Sequence, residues 1–384
     1  MFAAVHSDRS GRVYVSADWG ACAFDGARTF EIDTAIPLPE GTRLVPLARE
    51  AEGLDRMGRV RALGSSRWAL GAVLPAGYTR TLHPAYRDEG LRESPLAPLP
   101  TTAVCADDAG ALYVAAVPTG PSLPAPAAAT EPVQTRPGNR LARQLARCAR
   151  EHECAEARHA LRGEGIAALP VSARSNESPP PIVAPRARPD ASPRESAAFR
   201  PSAAEISEVA LAHFAQGGLA VSFGRACEGE PLTAVTLLED AITRIRQALP
   251  TARIHIETNG SSSSALRRLI DAGLGEVTFR LGSARVDTYD ALHGPIRYRY
   301  TDVRASIAMA REAGARVALA VLMLPGLTDR ATELDALGAL VGDAGASVIL
   351  RDLGADARRA IALAATVEPP CGMDAAIARL LEAA

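Results

Sequence analysis

The chain has 384 residues, of which 47% are hydrophobic and 22% charged, and its formal net charge is −2. That composition suits a globular chain with room for two domains and one sizeable core, and it excludes an electrostatic footprint for nucleic acid or a membrane surface. No apolar run reaches bilayer length and no charged-then-apolar leader opens the chain, so a cytoplasmic protein is expected. The 42 basic residues are all arginine, which with the abundant alanine reads as coding bias rather than as a binding device. Cys22, Cys105, Cys148, Cys154, Cys227 and Cys371 are scattered without a CxxC pair, so free thiols are expected rather than a disulfide framework.

Residues 1–117 read as a small, mostly β domain. Runs 11–16, 68–75 and 111–117 alternate or are apolar, with glycine and proline between them. His6 and His83 stand alone there, and no catalytic constellation accompanies them. Residues 118–138, rich in Pro, Ala and Thr, read as an extended linker. Residues 139–163 read as one connecting helix, with Leu141, Leu145, Cys148 and Ala149 on one side. Cys148, His152 and His159 share a face of that helix. However, a straight helix puts His159 about 16 Å along the axis from Cys148, too far for one ion, so no metal is expected there.

From residue 164 to 384 short apolar strands alternate with amphipathic helices. Strands are expected at 167–172, 219–223, 252–257, 276–281, 315–324 and 346–350. Helices are expected at 202–216, with Ser202 as N-cap, at 234–247, and after each later strand. A Pro/Ser/Arg-rich insert at 173–201 has the composition of a flexible segment. Such alternation makes the fold class α/β, with a parallel sheet and right-handed crossovers. Six units fit a partial (β/α)6 TIM-like barrel. Ligands then belong at the C-terminal strand ends: Ser172 onward, Gly224 to Pro231, Glu257 to Gly260, Gly282–Ser283, Pro325 to Asp329, and Arg351–Asp352.

The turn after the second strand carries Glu228-Gly229-Glu230-Pro231. It resembles the GGEP motif of the radical S-adenosylmethionine (SAM) superfamily, in which the backbone of this turn meets the amino group of SAM. Thr258-Asn259-Gly260, the Ser283 turn and Leu324-Pro-Gly-Leu-Thr-Asp329 resemble the turns after the third, fourth and fifth strands of that superfamily. The resemblance covers roughly residues 165 to 352 and implies Glu228, Gly229, Glu230, Pro231, Thr258, Asn259 and Ser283 as cofactor-binding residues. It fails at the defining CxxxCxxC loop after the first strand. If Ser175 stands at the first cysteine, Pro179 and Ile182 stand at the others, and no cysteine lies between Cys154 and Cys227. A [4Fe-4S] cluster, which needs three thiolates there, is therefore not expected. After the fourth strand, Arg280-Leu-Gly-Ser283 replaces the Ser-Leu-Asp-Ser of many relatives.

Three functional readings follow. The first is a barrel of radical SAM type without radical chemistry, binding SAM, another small molecule or a protein partner at its mouth. The second is an active radical SAM oxidoreductase whose cluster ligands come from Cys148, Cys154 and Cys227. The third is a cluster-free acid/base enzyme using Glu228, Glu230, Glu257 and Asp329. The first is the expected one, with no catalytic or metal-binding residue assigned.

Overall fold

The computed structural model describes residues 2–75, 77–87, 100–119, 135–152, 154–179, 199–225, 228–352, 361–363 and 368–384. Among the described residues of 2–119 the regular structure is antiparallel strands: a nine-stranded sheet with a two-stranded and a three-stranded companion. Strand Thr101–Ala106 sits inside the large sheet and is buried along its whole length. Its alternate side chains enter two small cores, Val104 and Ala106 in one, Ala103 and Cys105 in the other. Small residues let both faces be covered at once. The run expected at 111–117 is split into Leu112–Val114 and Ala116–Pro118. At Ala115 the strand changes partners: its N–H donates to Ala103 O at 3.0 Å, and its carbonyl accepts from Thr81 N at 2.9 Å. Most of the expected linker, residues 120–134, lies outside the described residues.

The single helix expected at 139–163 is two helices, α1 (Arg140–Glu151) and α2 (Ala155–Arg162). Cys148 O accepts from both His152 N at 3.1 Å and Cys154 N at 3.2 Å, which closes α1 and leaves Cys154 as the N-cap of α2. The helix-face relation between Cys148 and the two histidines is broken at that point.

Among the described residues of the second half, six parallel strands pair in sequence order: β1 (Ile166–Ala168), β2 (Ala220–Phe223), β3 (Ile254–Thr258), β4 (Glu276–Leu281), β5 (Arg316–Met323) and β6 (Ser347–Asp352). Helices α3 (Ala203–Ala215), α4 (Val235–Ala248), α5 (Ser263–Asp271), α6 (Val286–His293), α7 (Tyr300–Glu312), α8 (Ala331–Ala344) and α9 (Met373–Ala383) follow the strands. The fold of this half is α/β. Helix α3 is fixed by a capping box, in which Ser202 Oγ accepts from Glu205 N at 3.2 Å and the Glu205 carboxylate accepts from Ser202 N at 2.8 Å.

The sheet has two chemically different faces. Val221, Phe223, Ile254, Ile256, Val277, Phe279, Leu319 and Val321 share one buried core with residues of the helices. The alternate positions carry Ser222, His255, Glu257, Thr278, Arg280 and Arg351. The β-rich half meets the sheet at the turn after β5. His83 Nε2 lies 2.9 Å from Pro325 O, and Phe24 packs with Leu322, Leu324 and Leu327. Among the described residues no helix is long and apolar enough to cross a membrane.

Replacing the helix cap by Ser202→Ala should cost about 1 kcal/mol. Urea denaturation should show this as a lower midpoint at unchanged slope, and an unchanged midpoint would mean that α3 does not depend on its cap.

Candidate functional site

The C-terminal strand ends are joined by carboxylates. Glu228 ties the turn after β2 to the end of β1: its Oε2 accepts from Val171 N at 2.8 Å and Ser172 N at 3.2 Å, and its Oε1 from Gly224 N at 2.7 Å. Burial pushes this carboxyl up to about 7, although the three N–H donors favour its charged form.

Glu230 is fully buried and holds three strands together. Its Oε1 accepts from Thr258 Oγ1 and from Leu232 N at 3.1 Å. Its Oε2 accepts from Asn259 N at 3.0 Å and from Arg280 Nη2 at 2.9 Å. Burial pushes Arg280 down, but Glu230, Glu177 and Glu257 outweigh it, so the guanidinium stays charged.

The segment that follows β1, residues 172–178, lies across this end of the sheet. On one side Gly229 N donates to Ser172 O at 2.6 Å and Glu230 N to Arg174 O at 2.7 Å. On the other, Ile296 N donates to Asn176 O at 2.8 Å and Ser178 N to Gly294 O at 2.9 Å. Both flanking glycines are required by close approach. A Cβ on Gly229 would stand 1.9 Å from Arg174 O, and one on Gly294 would stand 2.2 Å from Ser178 O. These contacts pin the described start of the insert that composition marks as flexible. At its other end Arg140 stacks over Phe199 and donates to Arg200 O at 3.3 Å, and residues 180–198 lie outside the described residues.

Glu177 is the centre of this strap. Its Oε1 accepts from His293 Nδ1 and from Tyr298 OH, each at 3.0 Å, and its Oε2 lies 3.7 Å from Arg280 Nη2. Gly282 N donates to His293 Nε2 at 3.0 Å, so the ring proton is on Nδ1 and points at Glu177. Tyr289 stacks on His293 with ring centroids 4.2 Å apart, and its hydroxyl lies 3.1 Å from that of Tyr298. Burial raises Glu177, but His293, Arg280 and Tyr298 prevail and hold it at about 2. Burial and the Glu177 charge push the Tyr298 hydroxyl far up, so it remains a donor.

On the polar face, Ser222 Oγ lies 2.7 Å from His255 Nδ1, and Thr278 Oγ1 lies 2.8 Å from His255 Nε2. Burial lowers His255 to about 4. Arg351 Nη2 on β6 donates to Glu257 Oε2 on β3 at 3.2 Å. A cavity of ≈ 280 Å³ borders Glu228 and Arg174, and an open depression of ≈ 710 Å³ borders Ser175, Asn176, Ser261, Arg297 and Tyr298.

The seven residues marked by sequence divide. Glu228, Gly229, Glu230, Pro231, Thr258 and Asn259 come together, with Asn259 Nδ2 donating to Asn176 Oδ1 at 2.8 Å. Ser283 is bound elsewhere: its hydroxyl donates to Glu333 Oε2 at 2.5 Å, beside Thr288 Oγ1 donating to Glu333 Oε1 at 2.6 Å. The N–H groups of Gly229 and Glu230 are taken up by the strap, and Asn259 N and Thr258 Oγ1 by Glu230. Asp329 is buried in its own turn, accepting from Gly326 N at 2.6 Å, and burial raises it to about 6.

The residues after β1 do not fit an iron–sulfur cluster. Ser175 Oγ is bonded to the backbone of Glu177, Pro179 has no ligating atom in its side chain, and position 182 lies outside the described residues. Cys148 and Cys154 pack against the hydrophobic core, and Cys227 is outside the described residues. Among the described residues no three His, Cys, Asp or Glu side chains are grouped to hold a metal ion. Sequence reasoning missed Glu177, His255, His293 and Tyr298. The signal for His255 was available: His255 and Glu257 alternate with Ile254 and Ile256, which is one polar face on a strand of a parallel sheet.

No family model matches the chain, and no curated protein matches it. Several solved structures are similar to it. The structure of Streptococcus suis SuiB bound to S-adenosylmethionine is 13% identical with a TM-score of 0.40, over 55% of this chain and 44% of that one. A radical SAM methyltransferase from Sphaerobacter thermophilus is 15% identical with a TM-score of 0.38, over 56% of this chain and 63% of that one. Methylornithine synthase (PylB) is 12% identical with a TM-score of 0.42, over 65% of this chain and 70% of that one. The matched part spans less than half of the SuiB chain.

Two outcomes test the site. Glu230→Gln leaves the half-buried Arg280 with only the longer Glu177 contact and should cost about 2–3 kcal/mol in urea denaturation. A cost below about 1 kcal/mol would remove Glu230 as the anchor. Glu177 has a folded value of about 2 against 4.5 for the free group, so its stabilisation is present above 4.5 and lost as pH falls towards 2. Glu177→Gln should therefore flatten the acid limb of the stability curve over that window.

Proposed function

We propose that this chain is a barrel of radical SAM type that works without an iron–sulfur cluster and binds a small polar molecule at the strand ends. The observation that carries this is the strap after β1. The resemblance requires three thiolates in that loop. Here residues 172–178 lie hydrogen-bonded across the sheet, with a hydroxyl at 175 and a proline ring at 179.

A barrel-like curl is supported by the Arg351–Glu257 pair. Two strands lie between β6 and β3, so in a flat sheet they would be about 14 Å apart, a gap that curvature shortens. A polar inner face of Ser222, His255, Thr278, Glu257 and Arg351 is what a polar ligand would meet. SAM itself is a candidate ligand through Glu228, Gly229, Glu230, Pro231, Thr258 and Asn259. It would have to displace the strap from the Gly229 and Glu230 amides, and Ser283 would take no part.

A second reading rests on Glu228 alone. A carboxyl held near 7 beside a cavity suits proton transfer, which would make the chain a cluster-free acid/base enzyme.

The deciding experiment is iron and acid-labile sulfide after anaerobic reconstitution of the full chain. No iron above that of a chelator-treated control is expected. About four irons per chain would overturn the reading and make Cys148, Cys154 and Cys227 the residues to replace first. A thermal shift with SAM, compared between the parent and Glu228→Gln, separates a SAM site from a site for another molecule.

A further inference from the structure

Glu177 occupies a site built for a carboxylate. The donors are a histidine Nδ1–H, a tyrosine hydroxyl and an arginine, each supplied by a different part of the chain beyond β3. Their orientations are set independently of the occupant. Gly282 N fixes the histidine tautomer, Tyr289 stacks on the ring, and Glu230 anchors the guanidinium at 2.9 Å. The cradle is therefore preorganised, whereas its occupant is a single glutamate on a short segment whose own pairing is one isolated β-bridge, Glu177 with Pro295, and which is exposed at Ala173, Arg174, Ser175 and Ser178.

A second, independent feature points outward from the same place. Arg297 precedes Tyr298 in the chain, is exposed on the open depression, and has a left-handed backbone, φ 62°. Its guanidinium has no hydrogen-bond or ion-pair partner among the described residues. A non-glycine residue held in that conformation costs free energy. Arg297 and Tyr298 both line that depression, so a partnerless cation stands beside one donor of the carboxylate cradle.

Resting on the reading that small molecules bind at the strand ends, we propose that the Arg280, His293 and Tyr298 cradle is a recognition site for a small carboxylate ligand, and that Glu177 is its intramolecular placeholder. A ligand carboxylate entering past Arg297 replaces Glu177 one for one, so the charge balance around Arg280 is unchanged by the exchange. The strap then leaves the Gly229, Glu230 and Ile296 amides. The apparent affinity of the parent chain is reduced by the fraction of molecules in which Glu177 is seated.

The test uses the full chain with succinate as probe and succinamide as its uncharged counterpart. Succinate should raise the melting temperature of the parent and speed hydrogen exchange at the Gly229, Glu230 and Ile296 amides. Glu177→Ala should bind succinate at least about tenfold more tightly than the parent, and Arg297→Gln should bind it about tenfold less tightly. Succinamide should do neither. No gain in affinity in Glu177→Ala, equal response to succinamide, or unchanged exchange at those amides in the succinate-bound parent would each overturn the proposal. The exchange measurement needs no variant, so an unstable Glu177→Ala chain does not shield it. Iron content separates the two readings: an iron-free chain that ignores succinate sinks the placeholder alone, and an iron-bearing chain that binds succinate sinks the cluster-free reading alone.

Discussion

The Glu230 carboxylate is the interaction on which the strand ends depend. It leaves the turn after β2, accepts from Thr258 and Asn259 at the end of β3, and pairs with Arg280 on β4. Burying a charge is costly unless it is paired and its remaining lone pairs are satisfied. Glu230 meets both conditions, with four donors on two oxygens. Once it is in place, Arg280 has a fixed position, and so does whatever Arg280 faces.

What Arg280 faces is the strap. Glu177 takes the other side of the guanidinium and adds His293 and Tyr298, which belong to the far side of the site. One arginine thus couples a turn, two strands and the segment after β1. The coupling is dense because charge attraction in a poorly hydrated site is strong and because each acceptor has a defined donor. The backbone completes the seal, since Gly229 and Gly294 allow main chain to lie against main chain on both flanks.

The same arrangement bears on the resemblance to radical SAM enzymes. The motif Glu228-Gly229-Glu230-Pro231 stands in the turn where the resemblance puts it, but each of its polar groups has an internal partner. Glu228 holds the β1 end, the Gly229 and Glu230 amides hold the strap, and the Glu230 side chain holds β3 and β4. A turn can therefore keep its residues for the sheet it closes.

Much of the second half was legible because its signals are local. Apolar strands and helices at 3.6 spacing placed β4 at its observed limits and the others within a few residues, and the Ser202 cap began α3 where a capping box begins it. Helix α1 was read through to α2 because the break at residues 152–154 is made by two amides sharing Cys148 O, which periodicity does not show. The candidate site was legible in its turns and not in its partners. Glu177 looked like one polar residue of a flexible insert, since nothing near it in sequence explains it. Its donors are 103 or more positions away: Arg280, His293 and Tyr298. By itself the sequence determined the α/β class of this half, the turn residues and the absence of any cysteine between Cys154 and Cys227, because these depend on residue type and spacing. Only the tertiary structure decided that the strap is bound, that Ser283 serves Glu333 and that Glu177 fills a carboxylate cradle, because hydrogen bonds and ion pairs depend on which distant side chains folding brings within about 3 to 4 Å.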